Sequence, residues 1–304
     1  MDFVSEWLAR IERNLLAESP VYLQLGAVFL VGVVADIVRR RNLRRRYLSR
    51  AVMTDLSYAA LYLSHLFELL LLVPVSRAVN AAVTTHTLWL RFNALSGTPG
   101  WVQIVASVVI VEFVTYWYHR AQHASPWLWQ LHKIHHSQRE LTVFTTFRVH
   151  FVDRLIVRIL LLFIPILLGA APESVLLVQV LLTVQLLLTH SDLGWTFGPV
   201  GRLVVSPAYH EVHHSCERRH HDRNFAATLT IWDHLFGTAL PASERATAYG
   251  LSSEEVPESF WSQMWVPAAG AWRLLNRPRT GSLDVAPIPL PSAVASSPSE
   301  PAEL

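Results

Sequence analysis

Residues Tyr118–Ser137 read YHRAQHASPWLWQLHKIHHS, which puts five histidines into eighteen positions directly after a long apolar run. His119 and His123 stand at i and i+4, and His132, His135 and His136 at i, i+3 and i+4. On a helix those spacings bring side chains onto one face, so each set can aim its imidazoles at a common point. The second spacing recurs in YHEVHHS as His210, His213 and His214, and His190 stands alone at the end of another apolar run. A single H-x-x-x-H is ordinarily a pair of surface or core residues. Here thirteen of the fifteen histidines lie between His119 and His234, and eight of them fall into three boxes. That concentration points to metal ligation.

Composition frames the site. The chain has 304 residues, of which 52% are hydrophobic and 16% charged, more apolar than an average soluble domain. The excess sits in long blocks, as in an integral membrane protein with one catalytic unit. A formal charge of +2 gives no reason to expect a nucleic-acid partner. The single Cys216 excludes an intrachain disulfide, a zinc-thiolate cage or an iron–sulfur cluster held by this chain. Any metal must be bound through nitrogen and oxygen.

Outward from the boxes, the apolar blocks predict an all-α, multi-span helical membrane protein with a cytosolic histidine-rich helical cap. Residues 1–20 have the pattern of an amphipathic helix lying on a membrane rather than of a secretory signal. Spans are expected at Val21–Val38, at Leu56–Val73 with His65 and Glu68 inside it, and at Trp101–Tyr118, which contains Glu112. Leu155–Ala170 and Ser174–Thr189 are each slightly short for a crossing and form either a thin hairpin or a re-entrant pair. The run Arg39–Arg46, with six arginines in eight positions, marks the cytoplasmic side of the first span. If the pair of short runs crosses twice or not at all, every box meets at one face, with the arginines. Trp261, Trp265 and Trp272 fit either an interfacial helix or core packing. The Pro-, Ser- and Ala-rich stretch from Pro278 has a composition that predicts disorder. The organisation expected is 1–100 for the amphipathic helix and first spans, 101–240 for the histidine-box catalytic domain with its membrane hairpin, 241–277 for an interfacial segment, and 278–304 for the tail.

The order YHRAQH, LHKIHHS, an isolated histidine after an apolar pair, and YHEVHHS followed by DRNFAATLTIWDHLFGT resembles the fatty acid hydroxylase and sterol desaturase superfamily of membrane-bound di-iron enzymes. The likeness covers about Trp101–Thr238. It implies that His119, His123, His132, His135, His136, His190, His210, His213 and His214 hold two iron ions that activate dioxygen to hydroxylate or desaturate a lipid, such as a sterol or fatty acyl chain. The same resemblance picks out Arg148 and His150, which stand either around the metals or on an ordinary helix face. It also picks out Asp222, a candidate to hold a histidine's second nitrogen, and Asn224. Trp232–Thr238 is read as closing the fold, and His220, His221 and His234 as non-ligands.

Ligand chemistry is compatible with this but does not select it. Imidazole suits iron, zinc, copper and nickel alike. Catalytic zinc usually takes three protein ligands plus water, whereas eight or nine imidazoles suffice for two metals. A zinc-dependent membrane hydrolase and a non-catalytic membrane metal carrier therefore stand as the other readings. The chain has neither a haem-attachment motif nor a G-x-G-x-x-G fingerprint, so an external electron donor is expected, a ferredoxin or a b-type cytochrome with its reductase. One lysine, Lys133, against twenty-four arginines fits a GC-rich genome and hence a bacterial inner membrane, with the endoplasmic reticulum as the alternative.

Overall fold

The structure, a computed structural model, describes residues 19–38, 44, 47–64, 66–75, 78, 92–241, 243–252 and 256–276. Its regular elements are helical, as expected, and the pairing of Val204 with Leu229 and of Ser215 with Tyr249 are isolated bridges. The expected N-terminal amphipathic helix, all of the arginine run except Arg44, His65, His86 and the C-terminal tail lie outside the described residues.

The first helix, α1 (Ser19–Val38), has 20 residues, a length of ~30 Å that matches a hydrocarbon core. α2 (Arg50–Leu63) is capped by Ser49, whose hydroxyl accepts from the Val52 N–H at 3.3 Å. Over the expected span Leu56–Val73 the helix changes form. The α-helix stops at Ser64, and a π-helical turn follows at Glu68–Leu72. Ser64 supplies the physical reason: its hydroxyl donates to the Leu61 carbonyl at 3.2 Å and accepts from the Leu66 N–H at 3.4 Å, competing with the helical ladder.

α3 (Gly100–Ala124) is six residues longer at its C-terminal end than the predicted span and carries the first box on its last turns. Its pattern is inverted relative to a soluble helix. Gln103, Ser107 and Glu112 are buried, while Trp101, Val105, Val109, Ile110 and Phe113 are exposed. Apolar residues turned outward all along a helix call for a lipid solvent. α3 ends at Ser125 because Pro126 follows. That proline is the first residue of α4 (Pro126–His136), where its missing N–H costs nothing. One residue thus separates the helices bearing the first two boxes.

α5 (Phe151–Leu167) and α6 (Pro172–Thr189) form the expected hairpin, packing on α3 and on each other. The turn needs Gly169 at φ +81°, where a Cβ would lie 2.9 Å from Asn93 Cα. α3 and α6 are each long and apolar enough to cross a membrane. α7 (Pro207–His213), capped by Ser206, carries the third box, and α8 (Ile231–Leu235) follows it. α9 (Phe260–Leu275) packs mainly against α4, approaching so closely at Gly270 that an added Cβ would meet Gln130 at 3.2 Å. Trp261, Trp265 and Trp272 are 66–70% exposed on the far face of α9, so core packing is not their role.

One core cluster, including Tyr58, Ile134, Phe147, Leu187 and Met264, joins α2, α4, α6 and α9. A second, including Tyr116, Val205, Tyr209 and Phe225, joins α3 to α7. The C-terminal ends of α3 and α6, the N-terminal end of α5, and the whole of α4 and α7 therefore meet at one end of the bundle. That is the consequence of a hairpin between the second and third boxes.

Candidate metal centre

All nine predicted histidines come together, in two adjacent groups. His119, His123, His132, His136 and His213 each offer a ring nitrogen, all within 4.8 Å of one another, and His135, His190, His210 and His214 do the same. The division follows from helical geometry. At ~100° per residue, i and i+4 lie ~40° apart while i+3 turns ~60° the other way. Box two accordingly sends His132 and His136 to the first group and His135 to the second. Box three does the reverse, sending His210 and His214 to the second group and His213 to the first. The first box completes a set of five and His190, at the C-terminus of α6, a set of four.

Proton positions decide what these groups can bind. His119 Nδ1 lies 2.7 Å from the Phe225 carbonyl, and His132 Nδ1 lies 3.2 Å from Asp153 Oδ2. Oxygen acceptors there fix the proton on Nδ1 in both rings, yet their Nε2 atoms face each other at 3.0 Å. The second group repeats this. His135 Nδ1–H donates to the Arg148 carbonyl at 3.2 Å and His190 Nδ1–H to the Leu186 carbonyl at 2.7 Å, with Nε2 to Nε2 at 3.0 Å. Two lone pairs so close repel unless a cation lies between them. Nitrogens ~2.0–2.1 Å from one ion, at octahedral or tetrahedral angles, stand ~2.8–3.4 Å apart. His213 Nδ1–H donates to the Arg223 carbonyl at 2.8 Å, and its buried Nε2 has no protein partner. Burial and the neighbouring imidazoles hold His132, His135, His136, His210, His213 and His214 well below the usual imidazole range, so these rings are neutral and keep a lone pair. The residues fit a pair of metal ions.

The surrounding residues divide differently from expectation. Asp222, in the left-handed region at φ +57°, lies 3.4 Å from His123 Nδ1, and this contact holds its carboxyl below the usual range. Asn224 touches no histidine side chain; its amide donates to the Tyr209 carbonyl at 2.9 Å and accepts from the Leu240 N–H at 2.6 Å, tying α7 to the chain that follows it. Arg148 meets His135 only through its carbonyl. Its guanidinium is bonded to Asp55 and, at 2.7 Å, to the Ala51 carbonyl, so it links the site to α2. His150 stands apart: it caps α5 by accepting from Val152 N–H at 3.2 Å, and its Nε2 meets the Met264 carbonyl at 2.9 Å. A histidine at a helix N-terminus has that local use, and spacing alone does not separate it from a role beside metals.

Sequence reasoning passed over Asp153, which is buried, holds His132 and accepts from the Tyr118 hydroxyl at 3.1 Å. The available signal was a lone acid in the first turn of an apolar helix just after a box. Asp233, within the stretch read as closing the fold, accepts from the Phe225 and Ala226 N–H groups at 2.9 Å each and so shapes the loop whose carbonyl holds His119. Glu112 accepts from the Thr228 N–H at 2.8 Å, fixing that same loop to α3.

Two cavities reach the histidines. The first, of about 190 Å³, lies among α3, α5 and α6, presents a mainly apolar surface to which Val157, Leu161, Leu182 and Leu187 contribute, with Glu112, Arg154 and Arg158 also in its lining, and ends on His119, His132, His135, His190 and His210. The second, of about 270 Å³, is lined by His123, His136 and His213 with Trp129, His221, Asp222 and residues Gly250–Ser252.

Fold and site together define an all-α membrane protein with a nine-histidine centre at the base of an apolar cavity. Residues 104–238 match the fatty acid hydroxylase family model. It is similar to an ornithine lipid hydroxylase of Rhizobium tropici, 36% identical over 54% of this chain and 50% of the relative. It is also similar to an alkylglycerol monooxygenase of Xenopus tropicalis, 32% identical over 47% of this chain and 31% of the relative. A cholesterol 25-hydroxylase-like protein of Danio rerio is 25% identical over 67% of this chain and 79% of its own length. The chain thus spans half or less of the first two relatives. No solved structure matches it.

Proposed function

We propose that the two histidine groups hold an iron pair, and that the protein is a membrane-bound oxygenase that hydroxylates or desaturates a lipid using dioxygen and electrons from an external donor. The observation that carries this reading is the facing Nε2 pairs, His119 with His132 and His190 with His135, in rings whose Nδ1 atoms all meet oxygen acceptors. When bound, the metal pair would supply the redox chemistry that reduces dioxygen with the donor's electrons, one oxygen atom entering the substrate in a hydroxylation and both leaving as water in a desaturation. The chain's own part is to orient and to exclude. Asp153 and the Phe225, Arg148, Leu186 and Arg223 carbonyls hold the imidazoles of His132, His119, His135, His190 and His213 in one tautomer and one direction, which is how outer partners support metal ligands. The apolar lining of the first cavity admits a hydrocarbon and keeps bulk water from the histidines.

The names of the relatives refer to amphiphiles, an ornithine lipid, alkylglycerol and, for the 25-hydroxylase-like protein, cholesterol, and they favour a lipid here. The donor is a ferredoxin or a b-type cytochrome with its reductase. The site faces the cytoplasm of a bacterial inner membrane, on the side of Arg39–Arg46, and residues 101–240 form the catalytic domain. Metal analysis with Mössbauer spectroscopy tests the proposal. Two irons per chain are expected. One zinc that iron cannot replace would mean a hydrolase, and freely exchanging metal without dioxygen uptake a carrier.

A further inference from the structure

The first cavity contains a chemical feature that oxidation of plain hydrocarbon does not need. α5 reads FVDRLIVRILLLFIPIL, apolar except for Asp153, Arg154 and Arg158 in its first turns, and all three line the cavity that ends on the histidines. Asp153 is engaged by His132 and Tyr118. Arg154 and Arg158 stand at i and i+4 and so lie on one face. The Arg154 guanidinium sits 4.1 Å from the centre of the Tyr62 ring, a cation–π contact that orients it. Side chains on a helix lean toward its N-terminus, and here that is the histidine end. Arg158 is five residues beyond Asp153, ~7.5 Å along the axis.

Ionisable residues at membrane depth are costly and commonly mark the path of a charged ligand when they face a cavity. The planar guanidinium fork suits carboxylate and phosphate oxygens. We propose that Arg154 and Arg158 bind the anionic group, a carboxylate or a phosphate, of an amphiphilic lipid, with its chain lying along Val157, Leu161, Leu182 and Leu187. The anionic group is then held beside the metal centre, and the carbon oxidised lies nearer the polar end of the lipid than its methyl end. This rests on the reading of the cavity as a lipid site.

The experiment measures direct binding of radiolabelled laurate, dodecyl phosphate and dodecanol to the metal-loaded full chain in neutral detergent. Wild type is expected to bind at least one anion more tightly than the alcohol. Preference for laurate or for dodecyl phosphate identifies the anion. In Arg154→Gln/Arg158→Gln, anion binding should weaken by about 10- to 100-fold, the range for losing charge-assisted hydrogen bonds, with dodecanol binding and metal content unchanged. Arg158→Lys, which keeps the charge and loses the fork, should fall between, and it serves as the informative variant if the double substitution does not fold. Equal affinity of wild type for all three probes, or equal weakening of all three in the variants, overturns the proposal. If none of the three binds to wild type, the lipid reading of the cavity fails as well.

Discussion

The two histidine groups are made of the same side chain, yet they stand in different surroundings. In the four-histidine group every member is buried, and the cavity it meets is the apolar one, through His135, His190 and His210. The five-histidine group stands between both cavities: His119 and His132 line the apolar one, His123, His136 and His213 the polar one, and His119 and His123 are only half-buried. Its outer partners follow the same gradient, since Asp153 is buried and the Asp222 side chain is 73% exposed. Ligand type does not distinguish the two groups; ligand number and access do. A bundle whose spans point into lipid and whose box-bearing helices cap one end has an aqueous side and a lipid side, and the groups are arranged across that boundary.

The largest effect expected from this difference is on metal content. His190→Ala or His210→Ala leaves the smaller group with three ligands, and the metal there should be lost, halving the content of the purified protein from two equivalents toward one. His123→Ala leaves the larger group with four, and its metal should bind more weakly but remain at saturating supply. Elemental analysis before and after desalting reads the difference. Equal losses from both kinds of variant would mean that the five histidines are not one set.

Access predicts the next effect in size. On treatment with a hydrophilic chelator, metal should leave in two phases of similar amplitude, the faster from the five-histidine group through the polar cavity. Leu251→Trp, at the wall of that cavity, should slow the fast phase and leave the slow one unchanged. A single phase, or a slowing of both, would remove the distinction between the two routes.

Within the larger group the outer partners should differ as well. Asp153→Ala removes a buried acceptor from His132 and is expected to cost about 10- to 100-fold in metal affinity. Asp222→Ala removes an exposed partner 3.4 Å from His123, where water can take its place, and should fall at or below the lower end of that range of roughly 10-fold. Metal-competition titrations place the two variants in order, and the reverse order would contradict the assigned aqueous side.

How much of this could be read from the residues differs from place to place. The boxes are legible because i, i+3 and i+4 spacing is a property of the helix itself, and the all-α class is legible because apolar blocks of span length have few alternatives. The division of boxes two and three between groups is implicit in the same 100° rotation, but it needs the facing of α4 and α7, which only the packing sets. The Phe225, Leu186, Arg148 and Arg223 carbonyls that hold imidazoles carry no signal, because any residue has a carbonyl. Arg148 illustrates the limit well: its position was singled out, yet its backbone serves the site while its side chain reaches Asp55. The break at Ser64 was missed because hydropathy over Leu56–Val73 does not register one hydroxyl that competes for the backbone.

The smallest effect expected concerns a histidine as buried as most of the nine but in other surroundings. His220 is 1% exposed and follows the third box closely, so burial and proximity alone would nominate it. Its ring faces elsewhere: Nδ1 lies 2.9 Å from Ser215 Oγ, and Nε2 is 3.6 Å from Glu244 Oε2. A ring that already has a hydroxyl on one nitrogen and a carboxylate near the other has a structural use in joining the third box to the loop around Glu244. His220→Gln should therefore leave two metals per chain and both chelator phases intact, and lower stability by about 1 kcal/mol, the scale of one hydrogen bond. A loss of metal in this variant would extend the third box beyond His214 and break the division into five and four.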